Sequence, residues 1–314
     1  MELIRGLHNL RPRHHGCVAT IGNFDGVHLG HQAVIGQLAE KADELCLPAV
    51  VITFEPQPLE YFKPGAAPSR LTRFREKIQA LRRYAVDRVL CLPFNRKLAQ
   101  LSPAEFIQQV LVDGLGVRYL VVGDDFRFGR GRAGTIDDLR AAGAEHGFTV
   151  VNMHTFEIDG ERVSSTRIRQ ALEAGDMGAA ERLLGRDYRM SGRVAHGNRL
   201  GRQLGFPTAN IHLHRRVTPL QGIFAVDVFG LDREPLQGAA SLGTRPTVDG
   251  TRALLEVFIL DFDQAIYGRH LQVSFLHKLR DEEKYDSLER LKQQINTDVQ
   301  QTRAYFAARH KETY

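Results

Sequence analysis

The chain has 314 residues, 43% of them hydrophobic and 25% charged, and a formal net charge of +5; this length accommodates two domains with full cores, and the composition excludes a disordered, collagen-like or low-complexity chain. No apolar run approaches a membrane span, and Met1-Glu2-Leu3-Ile4-Arg5-Gly6 lacks the apolar core of a signal peptide, so a soluble, cytoplasmic protein is expected. Cys17, Cys46 and Cys91 form no C-x-x-C pair and are expected to be reduced, in or near the core.

The run Cys17-Val18-Ala19-Thr20-Ile21 is short, apolar and β-branched, which predicts a buried strand. Ala33, Ile35, Leu38, Ala39, Ala42 and Leu45 then recur at helical spacing. Between them, Gly22-Asn23-Phe24-Asp25-Gly26-Val27-His28-Leu29-Gly30-His31 is a strand-to-helix turn. Its glycines let the backbone approach a ligand closely, and the helix N-terminus presents unpaired N–H groups and a partial positive charge suited to phosphate. His28 and His31 add two donors there. Two other readings compete. The histidines with Asp25 could bind a metal, although no third His or Cys lies nearby in sequence; or the stretch is a glycine turn with two surface histidines. Nothing reads G-x-x-x-x-G-K-[ST], which excludes a P-loop.

A strand is predicted at 49–54, ended by Pro56 and Pro58, then a helix at 74–84 and a strand at 88–92. Ser102-Pro103-Ala104-Glu105 is a capping box that opens a helix to about Val112. Strand 118–122, helix 136–145 and strand 148–151 continue the alternation, which predicts an α/β domain built on a mostly parallel, doubly wound sheet. Ligands of such sheets sit beyond the C-terminal strand ends, where the turn at 20–31 and the loops after Phe54 and Val122 would converge. The last of these loops carries a formal G-x-G-x-x-G at Gly129, Gly131 and Gly134, too far beyond its strand for a dinucleotide fingerprint. Ser164, Ser165 and Thr166 open a helix through Leu172; with Arg167 and Arg169 they suit a triphosphate as well as plain capping.

After Gly185-Arg186-Asp187-Tyr188 the texture changes to short strands, at 190–195, 222–229, 238–242, 254–260 and 271–279, separated by Gly, Pro and Asn. A small antiparallel β-barrel is expected, closed by a helix over 286–309 with Asp286 and Glu289 as its capping box. The domain border is placed so that 1–185 and 186–314 form the two halves. Taken alone, Pro207-Thr208-Ala209-Asn210 reads as a turn and Glu256 as a solvated strand residue. Scattered arginine groups, such as Arg127, Arg130 and Arg132, suit the phosphates of a nucleic acid or of a small nucleotide equally well.

Several of these strings carry a resemblance. His28-Leu29-Gly30-His31 is similar to the H-x-G-H signature of the nucleotidyltransferase superfamily, and Gly22 to His28 resembles the adenylyltransferase half of the bacterial bifunctional riboflavin kinase/FAD synthetase family. Gly123-x-Asp125-Phe126-x-Phe128-Gly129 and Ser164-Ser165-Thr166-x-Ile168-Arg169 are similar to further motifs of that half. Gly192 to Gly197, the P-T-A-N string 207–210, Gly243 to Thr247, Glu256 to Asp263 and Leu279-Arg280-x-Glu282-x-Lys284-Tyr285 resemble the riboflavin kinase signature; Ser241 stands where the family commonly has Asn.

The resemblance implies ATP-dependent phosphorylation of riboflavin to FMN in the second half, and adenylyl transfer from ATP to FMN, giving FAD and pyrophosphate, in the first. His28 and His31 would act in catalysis beside the nucleotide-binding Gly22, Phe24, Asp25 and Gly30, with Ser164, Ser165, Thr166 and Arg169 on the β- and γ-phosphates. Asp125, Phe126 and Arg280 would contact flavin. Gly192, His196 and Gly197 would form a flap over the kinase phosphates, Thr208 and Asn210 would ligate Mg²⁺ of MgATP, and Glu256 would be the general base. The implied ligands are riboflavin, FMN, FAD, ATP and Mg²⁺, with no nucleic acid, membrane or obligate protein partner. A nucleotidyltransferase using the histidine turn alone would leave Thr208, Asn210 and Glu256 without a role, and a non-enzymatic nucleic-acid binder would show steeply salt-dependent duplex binding and no ATP turnover.

Overall fold

The computed structural model describes residues 1–312 except 154, 198–200, 202–203, 216 and 248–249. Contacts divide the chain into two compact units: Met1–Pro68 with Thr72–Ser164, and Ser69–Leu71 with Ser165–Tyr314.

The first unit contains a six-stranded sheet in the order β1-β4-β3-β2-β5-β6, parallel throughout. Its strands are β1 (Glu2–Arg5), β2 (Cys17–Ile21), β3 (Ala49–Glu55), β4 (Arg88–Pro93), β5 (Val117–Gly123) and β6 (Thr149–Met153). Around them run α1 (Leu29–Glu44), α2 (Pro58–Phe62), α3 (Phe74–Leu81), α4 (Arg96–Gln100), α5 (Pro103–Phe106) and α6 (Ile136–His146); β7 (Glu157–Ile158) and β8 (Glu161–Arg162) form a small hairpin. The apolar runs are continuous because both sheet faces are covered. Ala19, Val50, Ile52, Leu90, Leu120 and Val122 pack with Phe106, Val110 and Leu111 on one face. The alternate residues Val18, Val51, Val89 and Val121 meet Ile35 and Leu38 of α1 and Ile78 and Leu81 of α3 on the other.

The Ser102 capping box forms as expected: its hydroxyl accepts the Glu105 N–H at 3.2 Å and Glu105 accepts the Ser102 N–H at 2.7 Å. The helix then widens into a π-turn over Ile107–Val112, with the Asp113 N–H donating to the Gln108 carbonyl at 2.8 Å. Burial pushes the Cys17 and Cys91 thiols up to about 12 and about 11. Cys46 departs from expectation: it lies past the end of α1 in a left-handed conformation (φ 52°) and is exposed.

The second unit holds α7 (Ser165–Ala174), α8 (Met177–Leu184) and a closed antiparallel barrel in the order β10-β13-β12-β11-β14-β9. Its strands are β9 (Tyr188–Ala195), β10 (Thr208–His212), β11 (Gly222–Phe229), β12 (Leu236–Thr247), β13 (Gly250–Ile259) and β14 (His270–Arg280), followed by α9 (Leu288–Glu312). Strand β10, which sequence reads only as a turn, closes the barrel between β9 and β13. Ala209 and Ile211 point into the core while Thr208, Asn210 and His212 are more exposed. The cap of α9 is Ser287, whose hydroxyl accepts the Arg290 N–H at 3.2 Å; the expected cap, Asp286, instead faces the Arg290 side chain at 3.7 Å.

Residues 69–71 are stitched into this unit. The buried Arg215 donates to the Arg70 carbonyl at 2.7 Å and the Leu71 carbonyl at 3.3 Å, and the Tyr188 hydroxyl donates to Leu71 at 3.0 Å. By packing, α7 and α8 join the barrel, whereas the border at 185/186 follows the change in sequence texture; α8 touches β14 and β9.

Candidate active sites

The chain leaves β2 at the C-terminal edge of the parallel sheet, and because β2 lies between β3 and β5, the loops after those strands open on the same edge. Phe24 (φ 49°), Gly26 (φ 85°) and Val27 (φ 44°) all adopt left-handed conformations. That is costly for a β-branched valine, so the surroundings must hold the turn in place. Phe24 and Val27 are buried in the α1 side of the core. Asp25, only 2% exposed, accepts the Thr72 N–H at 2.9 Å and the Thr72 hydroxyl at 3.2 Å; that hydroxyl oxygen accepts the Gly26 N–H at 3.0 Å.

His28 caps α1, its Nδ1 accepting the His31 N–H at 3.3 Å. Acceptance at Nδ1 requires the neutral ring to carry its proton on Nε2. The two imidazoles stack at 3.7 Å with an interplanar angle of 19°, and the Phe24 ring tilts against His31 at 5.0 Å. Burial first, then His28, Lys77 and Arg162, hold His31 well below the ordinary imidazole range. Its Nδ1 is buried and has no hydrogen-bond partner among the described residues. A side chain at Gly30 would press on this arrangement, since its Cβ would stand 3.2 Å from His28 Nδ1 and 3.4 Å from the Val163 carbonyl. Among the described residues no group of three or more His, Cys, Asp or Glu side chains could complete a metal site.

In the loop after β5, Asp125 pairs with Arg162 at 2.9 Å, and this hydrogen-bonded guanidinium holds its carboxyl below the usual range. Phe126 stacks on Phe128 at 5.6 Å, and Phe128 packs against Phe106 at 5.5 Å. The formal glycine pattern falls partly in a 3₁₀ turn at Arg130–Arg132 rather than at a strand-to-helix turn. Ser164 closes the first unit. Ser165, Thr166 and Arg169 lie in the first turns of α7 in the second, where Arg169 Nε donates to the Ser69 carbonyl at 2.5 Å.

The barrel carries a cavity of about 1090 Å³ whose wall includes Gly197, Thr208, Asn210, Glu256 and Arg280. Strand register brings three of its polar residues into one row: Asn210 lies opposite Glu256, and Glu256 opposite Ser241. Side chains paired in this way stand about 4.5–5.5 Å apart at Cβ. Thr208, two residues before Asn210, shares its side of β10. Gly197 packs directly on the Asn210 amide, and a Cβ there would collide with it.

Gly192 and His196 stand beside the cavity wall, which their neighbours Val194 and Gly197 line. Gly192 sits within β9, where the His212 carbonyl occupies the place of a side chain, and His196 stacks at 4.0 Å on Tyr267, itself a wall residue. Arg280 is held in a fork by Asp298 of α9, with Nε and Nη2 each 2.7 Å from a carboxylate oxygen, while Gln294 donates to Asp298 at 3.0 Å. Ser241 donates to Glu282 at 3.2 Å, and the Glu282 carboxylate occupies the space that a side chain at Gly243 would need. Asp298, 4% exposed, was missed in the sequence; its only signal is that an acid falls in register with the buried Thr302 and Phe306 at helical spacing.

A strand-to-helix turn on the parallel sheet and a cavity on the small barrel give the chain two candidate sites, one in each unit. The family model for FAD synthetase matches residues 10–167 and that for riboflavin kinase matches 184–306. The chain is 55% identical over 308 residues to the bifunctional riboflavin kinase/FMN adenylyltransferase of Pseudomonas fluorescens and 50% identical over 307 residues to that of Escherichia coli (strain K12), with 98% of each chain covered in both cases. A solved Streptococcus pneumoniae structure, described as a macrolide-efflux protein, is 32% identical with a TM-score of 0.82, covering 96% of this chain and 99% of the other. The chain belongs to the bifunctional riboflavin kinase/FMN adenylyltransferase family. Among the described residues no helix is long and apolar enough to cross a membrane.

Proposed function

We propose that the two reactions of the family are divided at about residue 185, with adenylyl transfer to FMN in residues 1–185 and riboflavin phosphorylation in residues 186–314. The observation that carries the kinase half is the row Asn210–Glu256–Ser241, with Thr208 beside it, on the wall of the barrel cavity. Glu256 takes the proton of the riboflavin 5′-hydroxyl as its oxygen attacks the γ-phosphorus of ATP and ADP leaves. Thr208 and Asn210 offer neutral oxygens, hard donors that suit Mg²⁺, and the bare Gly197 leaves the Asn210 amide undisplaced. Mg²⁺ bound there would neutralise charge on the ATP phosphates. Arg280, held by Asp298 and by the Asp281 carbonyl, lines the cavity and would contact the flavin through the donors left over.

In the first half a phosphate oxygen of FMN attacks the α-phosphorus of ATP and pyrophosphate leaves. The nucleophile is already an anion, so no general base is required. Catalysis there is positioning and charge stabilisation by His28, His31 and the first turn of α1, with Ser164 on the leaving phosphates and Asp125 and Phe126 toward the flavin. The setting is the cytoplasm, and no nucleic acid, membrane or obligate protein partner is required. The test is to incubate the full chain with riboflavin, ATP and Mg²⁺ and to resolve the flavins over time. FMN appearing first and FAD after it supports the reading. Turnover undiminished by a chelator would remove Mg²⁺ from it, and FAD forming from FMN with no FMN forming from riboflavin would remove the kinase half.

A further inference from the structure

Thr72 belongs to none of the motifs, yet it is bonded to the most strained part of the nucleotide turn. It is buried and lies 46 positions from Gly26 in sequence. One hydroxyl makes two bonds of opposite sense there, donating to Asp25 Oδ1 at 3.2 Å and accepting the Gly26 N–H at 3.0 Å, while the Thr72 N–H reaches the same Oδ1 at 2.9 Å. These contacts fall between Phe24 and Val27, the two non-glycine residues of the turn with positive φ. Such conformations persist only where the surroundings over-determine them. The residue next after Val27 is His28, whose ring caps α1 and stacks on His31. The path from the Thr72 hydroxyl to the imidazoles is therefore short, running through Gly26 and the left-handed Val27 to His28. Asp25, assigned by resemblance to nucleotide binding, has Oδ1 turned to Thr72, which points to a carboxylate that shapes the turn from behind.

We propose that Thr72 is a positioning residue for adenylyl transfer: its hydroxyl bridges Asp25 and Gly26 and thereby sets where His28, His31 and the first N–H groups of α1 meet the ATP phosphates. The proposal rests on the reading of the 22–31 turn as the nucleotide site. Serine at this position keeps both hydroxyl bonds. Valine keeps the shape but removes the acceptor for the buried Gly26 N–H, and alanine removes it without a β-branched replacement.

In the full chain, Thr72→Val and Thr72→Ala are expected to lower kcat for FAD formation from FMN and ATP by roughly tenfold to a hundredfold, the scale of an ångström-level misplacement. Riboflavin phosphorylation by the same preparations should stay at the wild-type rate, and Thr72→Ser should restore FAD formation. Hydrogen exchange at the Gly26 amide should speed up in the valine and alanine variants and not in the serine variant. Wild-type FAD formation in Thr72→Val, or in Thr72→Ala should the valine variant not fold, overturns the proposal, and so does a serine variant as slow as valine. The His28→Ala/His31→Ala chain separates this failure from that of the underlying reading. If it retains FAD formation, the turn is not the nucleotide site; if it loses FAD formation while Thr72→Val keeps it, the turn stands and only the role of Thr72 falls.

Discussion

Glu256→Gln is expected to slow riboflavin phosphorylation by about 10²–10⁴, the usual worth of a positioned general base, while FAD formation from supplied FMN stays near wild type. A hydroxyl is a weak nucleophile until its proton is taken, and Thr208 and Asn210 can ligate a cation but cannot accept a proton. Glu256 is half-buried on the cavity wall, flanked in register by Asn210 on one strand and Ser241 on the other. Glutamine preserves size and hydrogen bonding but has no basic site, so a loss that leaves KM for riboflavin unchanged isolates proton transfer from binding. Other carboxylates line the same cavity, among them Asp263, Glu282 and Glu283, and Glu282 accepts the Ser241 hydroxyl at 3.2 Å. Wild-type rates in Glu256→Gln together with a slowed Glu282→Gln would move the base across the row to that residue.

The parts of the fold legible in the sequence are those whose signal is local. Strands β2 to β5 are continuous apolar runs because both faces are covered, and the turn after β2 carries its glycines and histidines within ten residues. Strand β1 was missed because its four residues pair only with β4 at the sheet edge, a pairing that local sequence does not encode. Strand β10 was missed because Pro207 precedes it and Asn210 is a poor strand former; its inward pair, Ala209 and Ile211, is too brief for a period-two signal. Of the candidate sites, the motifs supplied residue types, and the strand register supplied the row that joins Asn210, Glu256 and Ser241. Thr72 and Asp298 were beyond reach for a physical reason. Each acts on a partner distant in sequence, Thr72 on Asp25 and Asp298 on Arg280, through contacts that exist only once the chain is folded.

Alanine at both His28 and His31 is expected to lower FAD formation from FMN by at least about 10²–10³, the cost of losing a single preorganised donor to a developing charge, while riboflavin phosphorylation continues. The stacked rings lie at the first turn of α1, and His28 presents Nε2–H because its Nδ1 is committed to the His31 N–H. Burial first, then His28, Lys77 and Arg162, hold His31 well below the ordinary imidazole range, so in the proposed reading it acts as a fixed dipolar donor and not as a titrating acid. The same depression has a consequence for stability. The unfolded chain binds a proton at His31 near the ordinary imidazole value and the folded chain does not, so the first unit loses stability as pH falls from that value toward the depressed one. Melting the wild-type and double-alanine chains from neutral to mildly acid pH should show a shallower fall in the variant. An equal slope would mean that His31 titrates normally in the folded protein. Zinc bound to the wild-type chain and absent from the variant on elemental analysis would favour a metal at the histidine pair over phosphate contact. The decisive comparison is between the two activities of one preparation: loss of FAD formation with FMN formation intact assigns the histidines to adenylyl transfer, and parallel loss of both assigns them to the fold.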